Sequence, residues 1–357
     1  MRAATGIMAM LGSLLIAGVV HAETLTIGVA APLSGPSALL GQQIVSGAAL
    51  AARTTGAELN TVDDACTAEG GAAAARAFAE AKVQVVIGFL CTEAIEAALP
   101  ILKGAGIPAV TVGVRTESLT DRRAKTGWQV FRLGPRGDDE RNAAATILTR
   151  LWKDELFAIV DDGTIYGREM AETVRAAVEQ AALKPVFMDT FRPEMDNQIA
   201  LVGRLKKAGA THVFAGGDGA DIAIMARDAG NLDAGIVFAG GEALRTAPGD
   251  VPFATGTLMI ALPGWSETAD KTVLDAFASA NVIAEGYALP AYAAVEIANA
   301  ASSAAQSAGK PVANALAGQD FATAIGTIRF DPKGDLSKNP YRAYRFDGQR
   351  FLPLEGQ

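Results

Sequence analysis

Val83-Gln-Val-Val-Ile-Gly-Phe-Leu-Cys-Thr-Glu-Ala-Ile-Glu96 is the stretch whose reading decides the fold. Residues 85–90 form a short unbroken apolar run, the pattern of a strand buried on both faces. At Cys91-Thr92 the period changes, and Ile95, Leu99 and Leu102 recur at helical spacing. Thr92 occupies the place of a helix N-cap, and Glu93 and Glu96 suit the positive end of the helix dipole. A strand that runs into a helix N-terminus leaves free backbone N–H groups at the carboxyl edge of a sheet. Small anions, carboxylates included, bind in that setting. The same geometry also serves as an ordinary β-to-α turn, in which Thr92 does no more than cap.

The alternation continues in both directions. Upstream, strands are expected at 25–30 and 57–63, with helices running to about Arg53 and over 69–82. Downstream, 107–112 and 129–133 read as short strands. The rhythm pauses at Gly134-Pro-Arg-Gly137 and then restarts. Helices at 138–152, 166–182, 197–208 and 220–229 alternate with strands at 156–161, 186–191, 212–215, 236–239 and 256–262. Such βαβ repetition predicts parallel sheets with helices on both faces.

The tail departs from a simple tandem. Residues 268–280 and 285–309 read as helices, 328–336 as a strand entering a turn, and 341–346 with 350–354 as a hairpin around Asp347-Gly348. Helices of that length need a sheet face to cover, so the chain is expected to return to its first unit. The expected fold is α/β, with two Rossmann-like parallel-sheet lobes joined by a three-crossing hinge. Lobe 1 would hold residues 23–135 and 263–331, and lobe 2 residues 136–262 and 332–357. The crossings would lie near 134–137, 263–264 and 331–335.

Composition narrows the function. Arg2, the apolar run at 7–20 and the small-residue pattern Val20-His21-Ala22 describe a secretory signal peptide over residues 1–22, too short to span a bilayer comfortably. The chain beyond residue 22 is longer than a single core usually fills, so two domains are expected. A net charge of −8 argues against nucleic acid, which selects a basic face. Export and acidity point to the periplasm, where two cysteines can be oxidised. His212 is the one histidine after the signal segment, which removes His-based triads and multi-histidine metal sites, and it abuts a strand as a structural residue would. The first βα turn, Gly28-Val-Ala-Ala-Pro-Leu-Ser-Gly35, lacks dinucleotide-binding spacing, and there is no Walker A sequence. Neither an enzyme nor a cofactor is expected.

Several strings coincide in order: Ala30-Ala-Pro-Leu-Ser-Gly-Pro36, Asp63-Asp-Ala-Cys66, Gly88-Phe-Leu-Cys91-Thr, Tyr166-Gly167 after Asp161-Asp162, Gly240-Gly-Glu242, and Phe330-Asp-Pro-Lys-Gly-Asp-Leu336. Over the whole chain after the signal segment, this pattern resembles the periplasmic leucine/isoleucine/valine-binding protein family, the type I solute receptors of ABC importers. The resemblance implies two lobes closing over a small ligand, no cofactor, no chemistry, and delivery of the ligand to a membrane permease by a monomeric receptor. It also implies a site. Thr92 matches the hydroxyl residue that holds the ligand carboxylate, and Gly113 a backbone contact. Glu242 matches the acidic partner of the ligand ammonium, and Tyr166 and Tyr287 match aromatic cleft residues. A Cys66–Cys91 disulfide at the shared sheet edge is expected.

Three positions depart from the family pattern. Arg115 stands where a second hydroxyl usually helps hold the carboxylate. Asp218 stands where an aromatic lines the ammonium side, and would set a second acid beside Glu242. Leu40 replaces a frequent aromatic. Expected ligands are therefore an amino acid or amino-acid-like zwitterion, with an amide, urea derivative or other small polar solute as the alternative. A ligand-sensing subunit of a membrane receptor would share these features.

Overall fold

The computed structural model describes residues 24–354. The signal-peptide reading of residues 1–22 falls outside them. The first sheet gathers β1 (Thr26–Ala31), β2 (Glu58–Asp63), β3 (Val85–Gly88), β4 (Ala109–Thr111) and β5 (Val130–Arg132) in the order β2-β1-β3-β4-β5, all parallel. Between them run α1 (Ala38–Thr55), α2 (Ala68–Glu80), α3 (Thr92–Ala105) and two short turns of helix, α4 (Ser118–Asp121) and α5 (Arg123–Thr126).

The second unit runs through α6 (Asp139–Leu151), β6 (Phe157–Asp161), α7 (Ile165–Gln180), β7 (Phe187–Thr190), α8 (Ile199–Lys207), β8 (His212–Gly216), α9 (Gly219–Asn231), β9 (Val237–Gly240) and β10 (Leu258–Ala261). The chain then returns to the first sheet through α10 (Trp265–Thr268), α11 (Lys271–Ser279), α12 (Ala288–Ala308), α13 (Val312–Leu316) and the hairpin β11 (Asp320–Thr323) and β12 (Gly326–Arg329). It ends on β13 (Arg342–Phe346) and β14 (Phe351–Pro353), a hairpin that joins the second sheet antiparallel beside β10. The second sheet is ordered β14-β13-β10-β9-β8-β6-β7. This is the two-sheet α/β architecture that the alternation implied.

Strand periodicity sorts the cores. Val85 and Ile87 face the layer of α1, α11 and α12, while Val86 faces Phe78 and the helices α2 and α3. Every residue of β3 is buried, as a strand sandwiched between helix layers must be. Gly47 lets α1 and α12 touch backbone to backbone: a methyl there would sit 1.9 Å from the Ala288 carbonyl oxygen. The β3 strand stops at Gly88, short of the expected Leu90. Gly88 (φ +108) and Phe89 (φ +54) turn the chain out of the sheet, and a Cβ on Gly88 would meet the Ala30 oxygen at 2.0 Å.

The third crossing differs from the expectation. Phe330 bridges Leu336, and Arg132 N donates to Gly334 O at 2.7 Å, so residues 331–336 remain beside β5. Gly334 (φ +96) is forced by that contact, since a Cβ would stand 2.3 Å from Val130 O. The crossing therefore lies at 337–341.

One buried ion cluster ties the first crossing to the 331–336 segment that leads into the third. Asp335 pairs with the fully buried Arg132 (Nε–Oδ1 2.8 Å) and with Arg136 (Nη1–Oδ2 3.0 Å), and it accepts the Thr120 hydroxyl at 2.9 Å. Arg136 also pairs with Asp138 and Asp121. Asp121, hydrogen bonded by Arg136 and Lys333, is held down to about 2. Among the described residues no helix is long and apolar enough to cross a membrane.

Candidate functional site

The first wall is built where β3 turns into α3. Cys91, extended at φ −108 and ψ 133, takes the N-cap position, and Thr92 is the first helical residue rather than the cap. Released from capping, the Thr92 hydroxyl lies 2.6 Å from that of Thr116. The second hydroxyl on this wall thus comes from Thr116, one residue beyond the position where Arg115 was read as its replacement. Arg132 fixes this loop by donating to Val114 O (3.0 Å) and Thr116 O (2.9 Å). A Cys66–Cys91 disulfide, with Cα atoms 5.2 Å apart, ties the turn after β2 to the N-terminus of α3. Ala65 (φ +48) and Cys66 (φ +55) are left-handed there, held by Asp63 Oδ1 accepting Ala65 N and by Asp64 Oδ1 accepting Cys66 N. Gly113 lies under Tyr287: a Cβ would be 3.0 Å from the ring and 2.4 Å from the Leu90 side chain. Tyr287 itself caps α12 and donates its backbone N–H to Gln43.

The second wall centres on a residue that sequence reasoning missed, Glu140 in the first turn of α6. Its Oε1 accepts both the Tyr166 hydroxyl (2.7 Å) and the backbone N–H of Glu242 (2.6 Å). Gly241 leaves the room, for a Cβ there would lie 2.3 Å from both Glu140 Oε1 and the Tyr166 oxygen. Tyr166 is 37% exposed overall, yet its hydroxyl end is the one fitted into this nook. Burial pushes the Glu140 carboxyl above its usual range. The hydrogen bonds from Tyr166 and Glu242 N oppose that rise, the Glu242 charge adds to it, and Arg115 across the cleft subtracts from it. Burial, reinforced by Glu140 and Glu242, likewise raises the Tyr166 hydroxyl. The Tyr341 hydroxyl is raised by burial and by Glu242. Both tyrosines therefore stay protonated and donate.

Glu242 is served from two sides. Its Oε2 accepts the Tyr341 hydroxyl at 3.1 Å, and Arg245 Nε stands 3.6 Å from its Oε1. Arg115 reaches over from the first wall, with Nη1 3.4 Å from the Tyr341 oxygen. Arg141 meets Glu117 across the same gap at 3.0 Å. Gly113, Arg115 and Tyr287 also line a cavity of about 40 Å³ with Leu262, Trp265 and Gly286.

Asp218 ends the turn after β8, beside the turn that carries Glu242: a Cβ on the adjacent Gly219 would lie 3.6 Å from Ala243 O. It is exposed at the N-cap of α9, and its charge bears on Asp221. Glu140 is a further acid whose charge meets that of Glu242. Leu40 stands 38% exposed on the first turn of α1. His212 opens β8, packs on Trp152 at 5.5 Å and contacts Thr211, a structural role. A wider groove between α7 and β7, lined by Asp161, Arg168, Glu172, Arg175 and Thr190, shares none of the site residues. Among the described residues no group of three or more histidine, cysteine or carboxylate side chains could hold a metal.

The comparisons with known proteins agree with this architecture. The Leucine-, isoleucine-, valine-, threonine-, and alanine-binding protein of Pseudomonas aeruginosa is 29% identical over 342 residues, covering 91% of this chain and 90% of that one. A structure from Rhodospirillum rubrum, assigned to a branched-chain amino acid ABC transporter, superposes with a TM-score of 0.77 at 18% identity, over 93% of this chain and 100% of that one. A solute-binding protein of an ABC transporter from Rhodopseudomonas palustris, in complex with p-hydroxybenzoic acid, has the same fold with a TM-score of 0.61 at 19% identity, over 94% and 96%. The periplasmic binding protein family model matches residues 24–350, and the chain belongs to that family.

Proposed function

We propose that this protein is the periplasmic receptor of an ABC importer, binding an amino acid or amino-acid-like zwitterion between its two sheets and presenting it, as a monomer, to a membrane permease. The observation that carries this reading is the opposed chemistry of the two walls. Thr92 and Thr116 stand at the N-terminus of α3, where a carboxylate is favoured. Glu140 and Glu242 stand opposite, where an ammonium is favoured. The named ligands of the Pseudomonas relative are amino acids, which supports the same class. The p-hydroxybenzoate complex favours a second reading, a carboxylate without an ammonium. Residues 1–22 would direct export and be removed.

Closure should follow binding. With lobes joined by three crossings, and the Arg132–Asp335–Arg136 cluster tying the first of them to the segment that leads into the third, the ligand need only favour the closed form over the open one. Small-angle scattering is expected to show a smaller radius of gyration with saturating ligand. An unchanged profile with binding confirmed would overturn closure.

Plain leucine, isoleucine and valine are not expected to be the best ligands. Arg115, Glu140, Tyr341 and Glu242 make the cleft more polar than an aliphatic side chain suits, because buried polar groups left unpaired are costly. A thermal-shift panel of amino acids, amides, ureas and aromatic acids checks this. The largest shift is expected from a ligand with a polar side chain, and a leucine or valine maximum would refute it.

A further inference from the structure

We infer that Glu140, rather than Glu242, is the carboxylate that receives the cationic nitrogen of the bound solute, with the Tyr166 hydroxyl and the Glu242 backbone holding it in place. The inference rests on the amino-acid reading above and deepens it.

The two acids are not equivalent. Glu242 already has Arg245 at 3.6 Å on one oxygen and the Tyr341 hydroxyl at 3.1 Å on the other, with Arg115 behind that hydroxyl. A ligand ammonium arriving there would share a carboxylate whose charge an arginine already offsets in part. Glu140 has no arginine, lysine or histidine nitrogen within 4 Å among the described residues; it is the acid of the pair without a cation. Its protein bonds are concentrated on one oxygen: Oε1 takes the Tyr166 hydroxyl and the Glu242 N–H. Oε2 takes none from the described residues and is not among the sealed, unpaired atoms of the interior, so it keeps some access to solvent.

The surroundings are built for this carboxylate. Gly241 leaves it undisturbed, since a side chain there would push Glu140 Oε1 and the Tyr166 oxygen out of their present places together. A carboxylate locked by two donors on one oxygen and bare on the other is oriented, and it lacks only a positive partner. Its place in the first turn of α6, directly after the first crossing, moves it with the second lobe when the cleft closes. The Arg115 charge reaches it from the opposite wall. The class of ligand is thus a solute with a primary or secondary ammonium, its nitrogen on Glu140 Oε2 and its carboxylate toward Thr92 and Thr116.

The test uses isothermal calorimetry on the full chain with the proteinogenic amino acids. The tightest is carried forward with its 2-deamino carboxylic acid. E140Q is expected to weaken the amino acid by at least about 30-fold and to leave the deamino acid within about threefold, because a desolvated charge loses its partner. E242Q is expected to weaken the amino acid by less than about fivefold on the same reasoning. Tyr166→Phe, which frees Glu140 without removing it, should weaken the amino acid more than the deamino acid, and it supplies the reading if E140Q does not fold. The assignment is overturned if E242Q costs as much as E140Q, or if E140Q weakens both probes equally. If the wild type takes no amino acid at all, the amino-acid reading itself has failed, an outcome distinct from intact binding that ignores Glu140.

Discussion

Replacing Asp335 with alanine should remove about 3–5 kcal/mol of stability. The carboxylate is 4% exposed and takes Arg132, Arg136 and Thr120 at 2.8, 3.0 and 2.9 Å. Removing it leaves Arg132, which has no exposed surface, as a buried charge facing a second arginine. The backbone acceptors Val114 O and Thr116 O keep two of its donors bonded but supply no negative charge. Urea unfolding, read as a shifted midpoint at unchanged slope, measures the loss. The double change Arg132→Met with Asp335→Leu should lose less than Asp335→Ala alone, since it removes both desolvated charges together. A loss below about 1 kcal/mol in the single variant would mean the cluster is solvated rather than buried.

Breaking the Cys66–Cys91 bridge should cost about 3 kcal/mol on the chain-entropy model, for a sequence separation of 25. The loss also has a local meaning. Cys91 is the N-cap of α3, and its neighbour Thr92 carries the hydroxyl paired with Thr116. Cys66→Ser/Cys91→Ser is expected to melt earlier and, on the proposed reading of the Thr92 wall, to bind a carboxylate more weakly, whereas wild type treated with a reductant should move to the same melting point. Two free thiols titrated in unfolded protein that was never reduced would refute the bridge.

The fold was legible because its signals are periodic. The uninterrupted run at Val85, Val86 and Ile87, the helical spacing of Ile95, Leu99 and Leu102, and the pause at Gly134-Pro-Arg-Gly137 all report burial, which sequence encodes directly. The strings carrying the family resemblance pointed to Thr92, Tyr166 and Glu242 as candidates. What was not legible depends on reach. Glu140 reads as an ordinary acid in the first turn of a helix, and its role appears only when Tyr166 and the Glu242 N–H converge on it from 26 and 102 residues away. Thr116 was hidden because the family pattern points one position earlier, to Arg115, whereas a backbone turn decides which side chain faces Thr92. The third crossing was misplaced because Asp331 and Asp335 look like a loop, while the Arg132 N–H holds that loop against β5.

The discontinuity of the first lobe bears on how the molecule comes into being. One face of the first sheet, with Val29, Ile87, Val110 and Phe131, is covered by α1 and then by α11, α12 and Phe330. Those last covering residues are made only after the entire second α/β unit. A chain synthesised from its N-terminus must hold that apolar face partly uncapped while more than about a hundred further residues emerge. The second sheet waits longer still for β13, its antiparallel strand beside β10. Assembly is therefore completed from the C-terminal end. A chain cut short before Ala288 would leave a sheet face of a kind that chaperones and aggregates both bind, although all five strands of that sheet were already present.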